Sequence, residues 1–317
     1  MGRKIIIDTD PGVDDAMAIF LALRSPELEV VGLTTVFGNS NVEATTRNAL
    51  NLLHVAGRTD VPVARGAGRP LVNPPGPTGE WVHGDDAMGN IGWTTVLAPA
   101  LKPVDVPAAR FIVDTIMANP GEITLVPIGP LTNLALALQL EPRIAKNVRE
   151  IVMMGGSALA PGNVSPLAEA NVHNDSHAAS VVFSADWPIT MAGLDVTESI
   201  PMDDEHFAAL ATSSDPLAPF IVKIVRFYQT FHHDWYGMEN GAIHTHDACA
   251  ILYLLDPTLF TGERWPITVP HDGPAKGATL VDRRGHFYKT PPVHCLLKVD
   301  AGRLITLYLS RLGVGKV

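Results

Sequence analysis

Five short runs of this chain, residues 4–9, 29–36, 122–128, 149–154 and 188–192, are near-continuously apolar and rich in Ile and Val. A strand with one wet face alternates apolar and polar residues. A run that stays apolar at successive positions has both faces covered. Between these runs the apolar period changes to that of a helix. Residues 15–23 place Ala16, Ile19, Phe20 and Leu23 on one face, and 42–56, 106–118, 131–138 and 176–184 behave alike. Strand, helix, strand in repetition predicts an α/β fold with a doubly wound, mostly parallel, Rossmann-like sheet flanked by helices. Ligands of such sheets bind beyond the carboxyl ends of the strands. The segment after each strand is polar and turn-prone: DPGVDD, FGNSN, GPLTN, GGS and GLDVT. Core packing alone would not require so many carboxylates and amides at one sheet edge.

The chain has 317 residues, no internal repeat and no linker, so one domain spanning 1–317 is expected. Hydrophobic residues make up 46% and charged residues 18%, which excludes a disordered chain. Asp plus Glu number 33 against 23 Lys plus Arg, a net charge of −10. That balance argues against a nucleic-acid partner and leaves carboxylates available for a hard cation. Cys249 and Cys295 form no CxxC pair, which speaks against a thiolate zinc site and a disulfide framework. The opening apolar run, Ile5 to Ile7, is too short for a signal-peptide core, and no apolar stretch reaches membrane-spanning length. A cytoplasmic protein without a membrane partner is the expectation. Residues 64–92, rich in Gly and Pro, read as a long ordered loop and candidate lid. A helix at 220–231 runs into a segment dense in His and aromatics, and the tail 264–317 reads as extra strands at WPITVP, GATLVD, HFYKT and RLITLYL.

The turn after the first strand holds Asp8, Asp10, Asp14 and Asp15 within eight residues. Carboxylates this close raise one another's pKa unless a cation or hydrogen bonds intervene. A bound divalent metal is the simplest remedy, and oxygen-only ligands favour calcium or magnesium over zinc. Other readings of the spacing stay open. Asp14 or Asp15 could cap the following helix, and an aspartyl-nucleophile phosphotransferase also begins with an Asp-rich turn. An EF-hand is excluded, because Ile19 and Phe20 lie where its final Glu belongs.

The segment DTDPGVDDAMAI resembles the N-terminal signature of the inosine–uridine preferring nucleoside hydrolase family. TTVFGN at 34–39, LVPIGPLTNLALAL at 125–138, IVMMGGS at 151–157, GNVSPLAEANVHNDSHAA at 162–179, GLDVT at 193–197 and HDACAILYLLDPTLF at 246–260 resemble further blocks of that family, in the same order. The resemblance implies hydrolysis of the N-glycosidic bond of ribonucleosides, with a calcium ion holding the ribose diol and the attacking water. Asp10 is then a calcium ligand and general base. Asp15, Asp247 and the backbone carbonyl of Ile128 complete the ligand set. Asp14 takes the ribose 2′-hydroxyl, Asn171 the diol, and Asn163 with Glu169 the 5′-hydroxyl. His246 protonates the leaving base, while His83 lies near the base pocket and Asn39 at or behind the substrate. Trp81, Phe37, His232, His233, Trp235 and Tyr236 are candidates to stack on or enclose the base. Phe37 and Ala248 depart from the family's usual small residue and Pro, which bears on base preference. Relatives form homodimers or homotetramers. The rival readings are a hydrolase of another ribosyl compound, such as a nicotinamide or modified nucleoside, and a non-catalytic calcium-dependent ribose-binding protein.

Overall fold

In the computed structural model, which describes residues 2–315, the first apolar run lies inside a broad sheet, third from one edge. The strands are β1 (Arg3–Thr9), β2 (Leu28–Thr35), β3 (Val63–Arg65), β4 (Thr124–Pro127), β5 (Glu150–Met154), β6 (Ile189–Ala192), β7 (Pro201–Met202), β8 (Ile243–His244), β9 (Phe260–Thr268), β10 (Leu280–Val281) and β11 (Pro292–Val299). Nine of them form one sheet in the order β10-β9-β11-β6-β5-β4-β1-β2-β3, while β7 and β8 pair separately. From β3 to β6, and on to β11, neighbours run parallel; β9 and β10 pair antiparallel at one edge.

Why both faces are covered is visible in β1. Ile5 and Ile7 point into one core and Ile6 into the other, all fully buried. Burying each such side chain contributes about 1.5–3 kcal/mol. The helices Val13–Leu23, Val42–Val55, Ala218–Tyr236 and Ala248–Leu255 pack on the Ile5 side, and Ala108–Ala118, Thr132–Leu140 and Ser176–Ser184 on the Ile6 side.

The winding direction reverses at β1. The chain first builds outward through β2 and β3, then crosses to β4, β5 and β6 on the other side. At that switch point the chain leaving β1 and the chain leaving β4 diverge and open a crevice. Asp8 is paired with Pro127 there, so Asp10 and Ile128 emerge side by side at its base.

The tail departs from the expectation of strands throughout. Residues 303–309 (RLITLYL) lie in the helix Ala301–Arg311, which buries Leu304, Ile305 and Tyr308 and is capped by Asp300 accepting from the Arg303 amide at 3.2 Å. HFYKT is a turn whose backbone amides at Phe287 and Tyr288 are held by Asp282, and the strand that enters the sheet is the next segment, β11. The 64–92 stretch begins inside β3 and contains the short helix Glu80–His83, docked by the Gly79 amide donating to the Asn39 carbonyl at 2.9 Å.

Candidate active site

A cavity of about 390 Å³ opens at the carboxyl ends of β4 and β5. Asp14, Asn39, His83, Ile128, Asn163, Glu169, Asn171, His246 and Asp247 line it, while Asp10 and Asp15 lie buried beneath its floor.

The helix Val13–Leu23 starts straight out of the first turn, so Asp14 and Asp15 fall in its first turn, where the helix dipole favours negative charge. Asp15 accepts from the Gly12 amide at 2.9 Å, from Asn39 Nδ2 at 3.0 Å and from the Thr9 hydroxyl. It therefore holds the N-cap amide of the helix and is itself a fixed carboxylate. Asp8 has a different office. It accepts from Thr34 and Asn133 inside the sheet, and burial pushes it up to about 7. Asp10 is cradled between glycines: a Cβ at Gly38 or at Gly129 would run into its carboxylate oxygens. Its Oδ2 accepts from the Asn39 amide at 2.7 Å, and its buried Oδ1 has no partner among the described residues.

Asp247 arrives from the far end of the chain at the N-cap of the helix Ala248–Leu255, yet its side chain makes no capping bond. It meets Asp14 and Asp15 with one oxygen from each of the three within 4.8 Å of the others. Burial raises Asp10, Asp14, Asp15 and Asp247, and the charges of their neighbours push Asp10, Asp15 and Asp247 further up. No Lys or Arg pairs with any of the four among the described residues. Buried carboxylates with open oxygens and no organic counter-charge suit a hard divalent cation, which would reverse their mutual repulsion. The set that meets most tightly includes Asp14, which sequence reasoning had given to the sugar, and leaves out Asp10.

Asn39 lines the cavity and is also bonded to the carboxylates beneath it. Its backbone and side-chain amides all donate to Asp10 and Asp15. Asn171 turns its amide to the Ile128 carbonyl at 3.0 Å and the Met154 carbonyl at 3.3 Å, so the carbonyl expected to bind metal is already engaged on one lone pair. Glu169 caps the helix Ala170–Asn174 and accepts from the amides of Gly156, Asn171 and Val172; burial nevertheless raises its pKa. Asn163 accepts from the Ala170 amide at 3.1 Å.

Burial favours the neutral form of the two histidines that line the cavity, His83 and His246. His83 Nδ1 accepts from the Val13 amide at 3.2 Å, which places the ring proton on Nε2, and burial pulls its pKa down to about 4. Its 3.9 Å approach to Asp14 is thus no ion pair. His246 Nδ1 lies 2.8 Å from the Thr197 hydroxyl, and burial, reinforced by His244, His232 and His83, pulls it well below its ordinary value. Of the aromatic candidates, Trp81, Trp235 and Tyr236 line the cavity. Phe37 and His232 are buried behind it and His233 faces solvent, so none of these three lines it. Sequence reasoning missed Tyr228, whose hydroxyl donates to Asp14 Oδ2 at 3.2 Å, and Phe231. Their signal was present: Tyr228, Phe231 and Trp235 recur at three and four residues along one helix face.

Among known proteins, the model of the inosine-uridine preferring nucleoside hydrolase family matches residues 5–306. Probable uridine nucleosidase 2 of Arabidopsis thaliana is 41% identical, covering 98% of this chain and 97% of its own. The inosine-uridine preferring nucleoside hydrolase of Leishmania major is 40% identical, with 98% of each chain covered. A solved plant nucleoside hydrolase superposes with a TM-score of 0.94 at 37% identity over 99% of both chains. Fold and relatives together define a ribonucleoside N-glycosidase. The chain belongs to the inosine-uridine preferring nucleoside hydrolase family.

Proposed function

We propose that this enzyme releases the base from ribonucleosides such as uridine and inosine, with a calcium ion held by Asp10, Asp15, Asp247 and the Ile128 carbonyl, and with Asp10 as general base. The observation that carries the reading is the burial of four carboxylates at the switch point without a cationic side chain among them. Asp14 stands close enough to share the ion. Bound there, calcium would supply a hard Lewis acid able to grip vicinal ribose hydroxyls and acidify a water.

The chain's own residues supply the rest. Asp10 offers an unpartnered oxygen at a fixed position, with its other oxygen tied to the Asn39 amide, and its raised pKa suits a group that must take a proton. Asp14 and Asn171 face the cavity where the diol would lie, and Asn163 and Glu169 flank the same wall. His246, neutral and oriented by Thr197, presents Nε2 to the departing base; as a neutral imidazole it gives a hydrogen bond that strengthens as charge develops on the base.

The test is chromatographic release of free base from uridine, inosine and their 2′-deoxy forms, with and without a calcium chelator. Release from the ribosides, abolished by chelation and poor for the deoxy forms, is expected. Ribose 1-phosphate as product, or undiminished turnover in chelator, would overturn the assignment.

A further inference from the structure

The loop that carries Asn163 buries little of itself. It leaves β5 through Gly155 and Gly156, and Gly156 holds a φ of +73°, which side chains rarely adopt. Beyond it Leu159, Val164 and Leu167 are 53%, 48% and 49% exposed. Ala158 and Ala160 reach the two cores with one methyl each. The tip closes on itself: the Gly162 amide donates to the Pro166 carbonyl at 3.1 Å, and the Asn163 amide to the Ala168 carbonyl at 3.1 Å. Such a tip keeps its shape, but apolar burial does not fix where it sits.

What fixes its place is polar. Asp195 lies in the single helical turn Leu194–Thr197 that follows β6. Its Oδ2 accepts from the Ala158 amide at 2.7 Å, and its Oδ1 accepts from the Leu159 amide at 2.7 Å and the Ala160 amide at 3.0 Å. Successive amides turned on one carboxylate form an anion-binding nest, here filled by the chain's own side chain, and such charge-assisted bonds are about twice as strong as neutral ones. The turn is itself pinned to the base of the loop. The Leu194 amide donates to the Gly156 carbonyl at 3.0 Å, and a Cβ at Gly193 would lie 2.8 Å from that oxygen. The same turn carries Thr197, 2.8 Å from His246. One turn of helix thus sets both the group that meets the base and the segment at the far side of the sugar. Asp195 does not line the cavity, whereas Asn163 does. The carboxylate therefore acts on substrate only through the loop it holds.

We propose that Asp195 is a positioning residue: by holding the amides of residues 158–160 it places Asn163 to take the ribose 5′-hydroxyl, and so sets the preference for nucleosides that carry that hydroxyl. This rests on the reading that Asn163 takes the 5′-hydroxyl. The test compares kcat/KM for uridine and for 5′-deoxyuridine. In the unaltered enzyme uridine is expected to be favoured about tenfold, the worth of one well-placed hydrogen bond. Asp195→Asn keeps Oδ1 for two of the amides and turns an NH2 toward the third, so it should shrink the ratio to about threefold. Asp195→Ala should bring it to about one, with kcat/KM for 5′-deoxyuridine within about twofold of the parent in both variants. A residue that only supported the fold would lower both substrates together and leave the ratio alone. Hydrogen exchange gives a readout independent of turnover. In Asp195→Ala the amides of Ala158, Leu159 and Ala160 should exchange at least about tenfold faster, while those of the helix Ser176–Ser184 keep their rates. A ratio unmoved by Asp195→Ala, equal losses on both substrates, or unchanged exchange at 158–160 would overturn the assignment. Failure of the underlying reading is separate: Asn163→Ala would leave the preference for uridine intact, or uracil would not be released at all, and the exchange measurement would still decide whether Asp195 holds the loop.

Discussion

Asp10 shows how much of this site depends on the placement of single atoms. One of its oxygens is fixed by the Asn39 amide, the other is left open, and the carboxylate occupies space that a side chain at Gly38 or Gly129 would fill. Asp10→Asn keeps the shape and the Asn39 contact but removes the base. It should lower kcat for uridine by at least about a hundredfold with the circular dichroism spectrum unchanged. The same change removes a buried like charge, so the metal-free variant should melt higher than the metal-free parent. A variant with normal turnover would dismiss Asp10 as the base. His246 makes a separable prediction. Because it assists departure of the base, His246→Ala should cost about a hundredfold in kcat on inosine and less than about threefold on nitrophenyl riboside, whose leaving group departs unprotonated. Equal losses on both substrates would show a structural role instead.

At the scale of elements, Asp175 joins pieces that the sequence does not show to be neighbours. It caps the helix Ser176–Ser184 through the Ala178 amide at 3.0 Å. It also accepts from the Thr132 hydroxyl at 2.7 Å and from the Leu71 amide at 2.9 Å, tying the segment after β3 to two helices. Asp175→Ala loses a cap and strands two donors, a cost of about 3 kcal/mol in urea unfolding. Midpoints within error of the parent would deny it that role. The element scale also explains what was legible. Runs 4–9 and 149–154 reappear as β1 and β5 within a residue, because continuous Ile and Val between turn residues leave little else to form. Residues 303–309 misled because a seven-residue apolar run has no decisive period; the Asp300 cap was the better signal. The carboxylates of the first turn could be read as a cluster from spacing alone. That Asp247 joins them, after more than two hundred residues, was reachable only through family resemblance, since no local pattern encodes a long-range convergence. Asn39 was ambiguous for the same reason: its donors point to partners 24 and 29 residues away.

On the scale of the whole molecule, the site imposes opposing pH dependences on stability. Burial holds His232 at about 3 and His83 and His244 at about 4, below the ordinary 6.5. Between pH 6.5 and 4 the unfolded chain binds protons at these rings and the folded chain does not. Their contribution is therefore fully present above pH 6.5 and lost as pH falls, at about 1.4 kcal/mol per unit for each ring. The carboxylates act the other way. Asp8, raised to about 7 from 3.8, and the raised Asp10, Asp14, Asp15 and Asp247 all favour the folded state at acid pH, where they are protonated. A calcium ion compensates the charge of the cluster and so removes most of this opposing slope, exposing that of the histidines. Calorimetric melts in excess calcium should thus show Tm falling between pH 6.5 and 5, and the fall should be shallower in chelator. His232→Phe should flatten the calcium curve by one ring's share, whereas acid weakening of calcium binding would act on both proteins equally. A Tm that stays level or rises toward pH 5 in excess calcium would mean that the buried rings take up protons without unfolding.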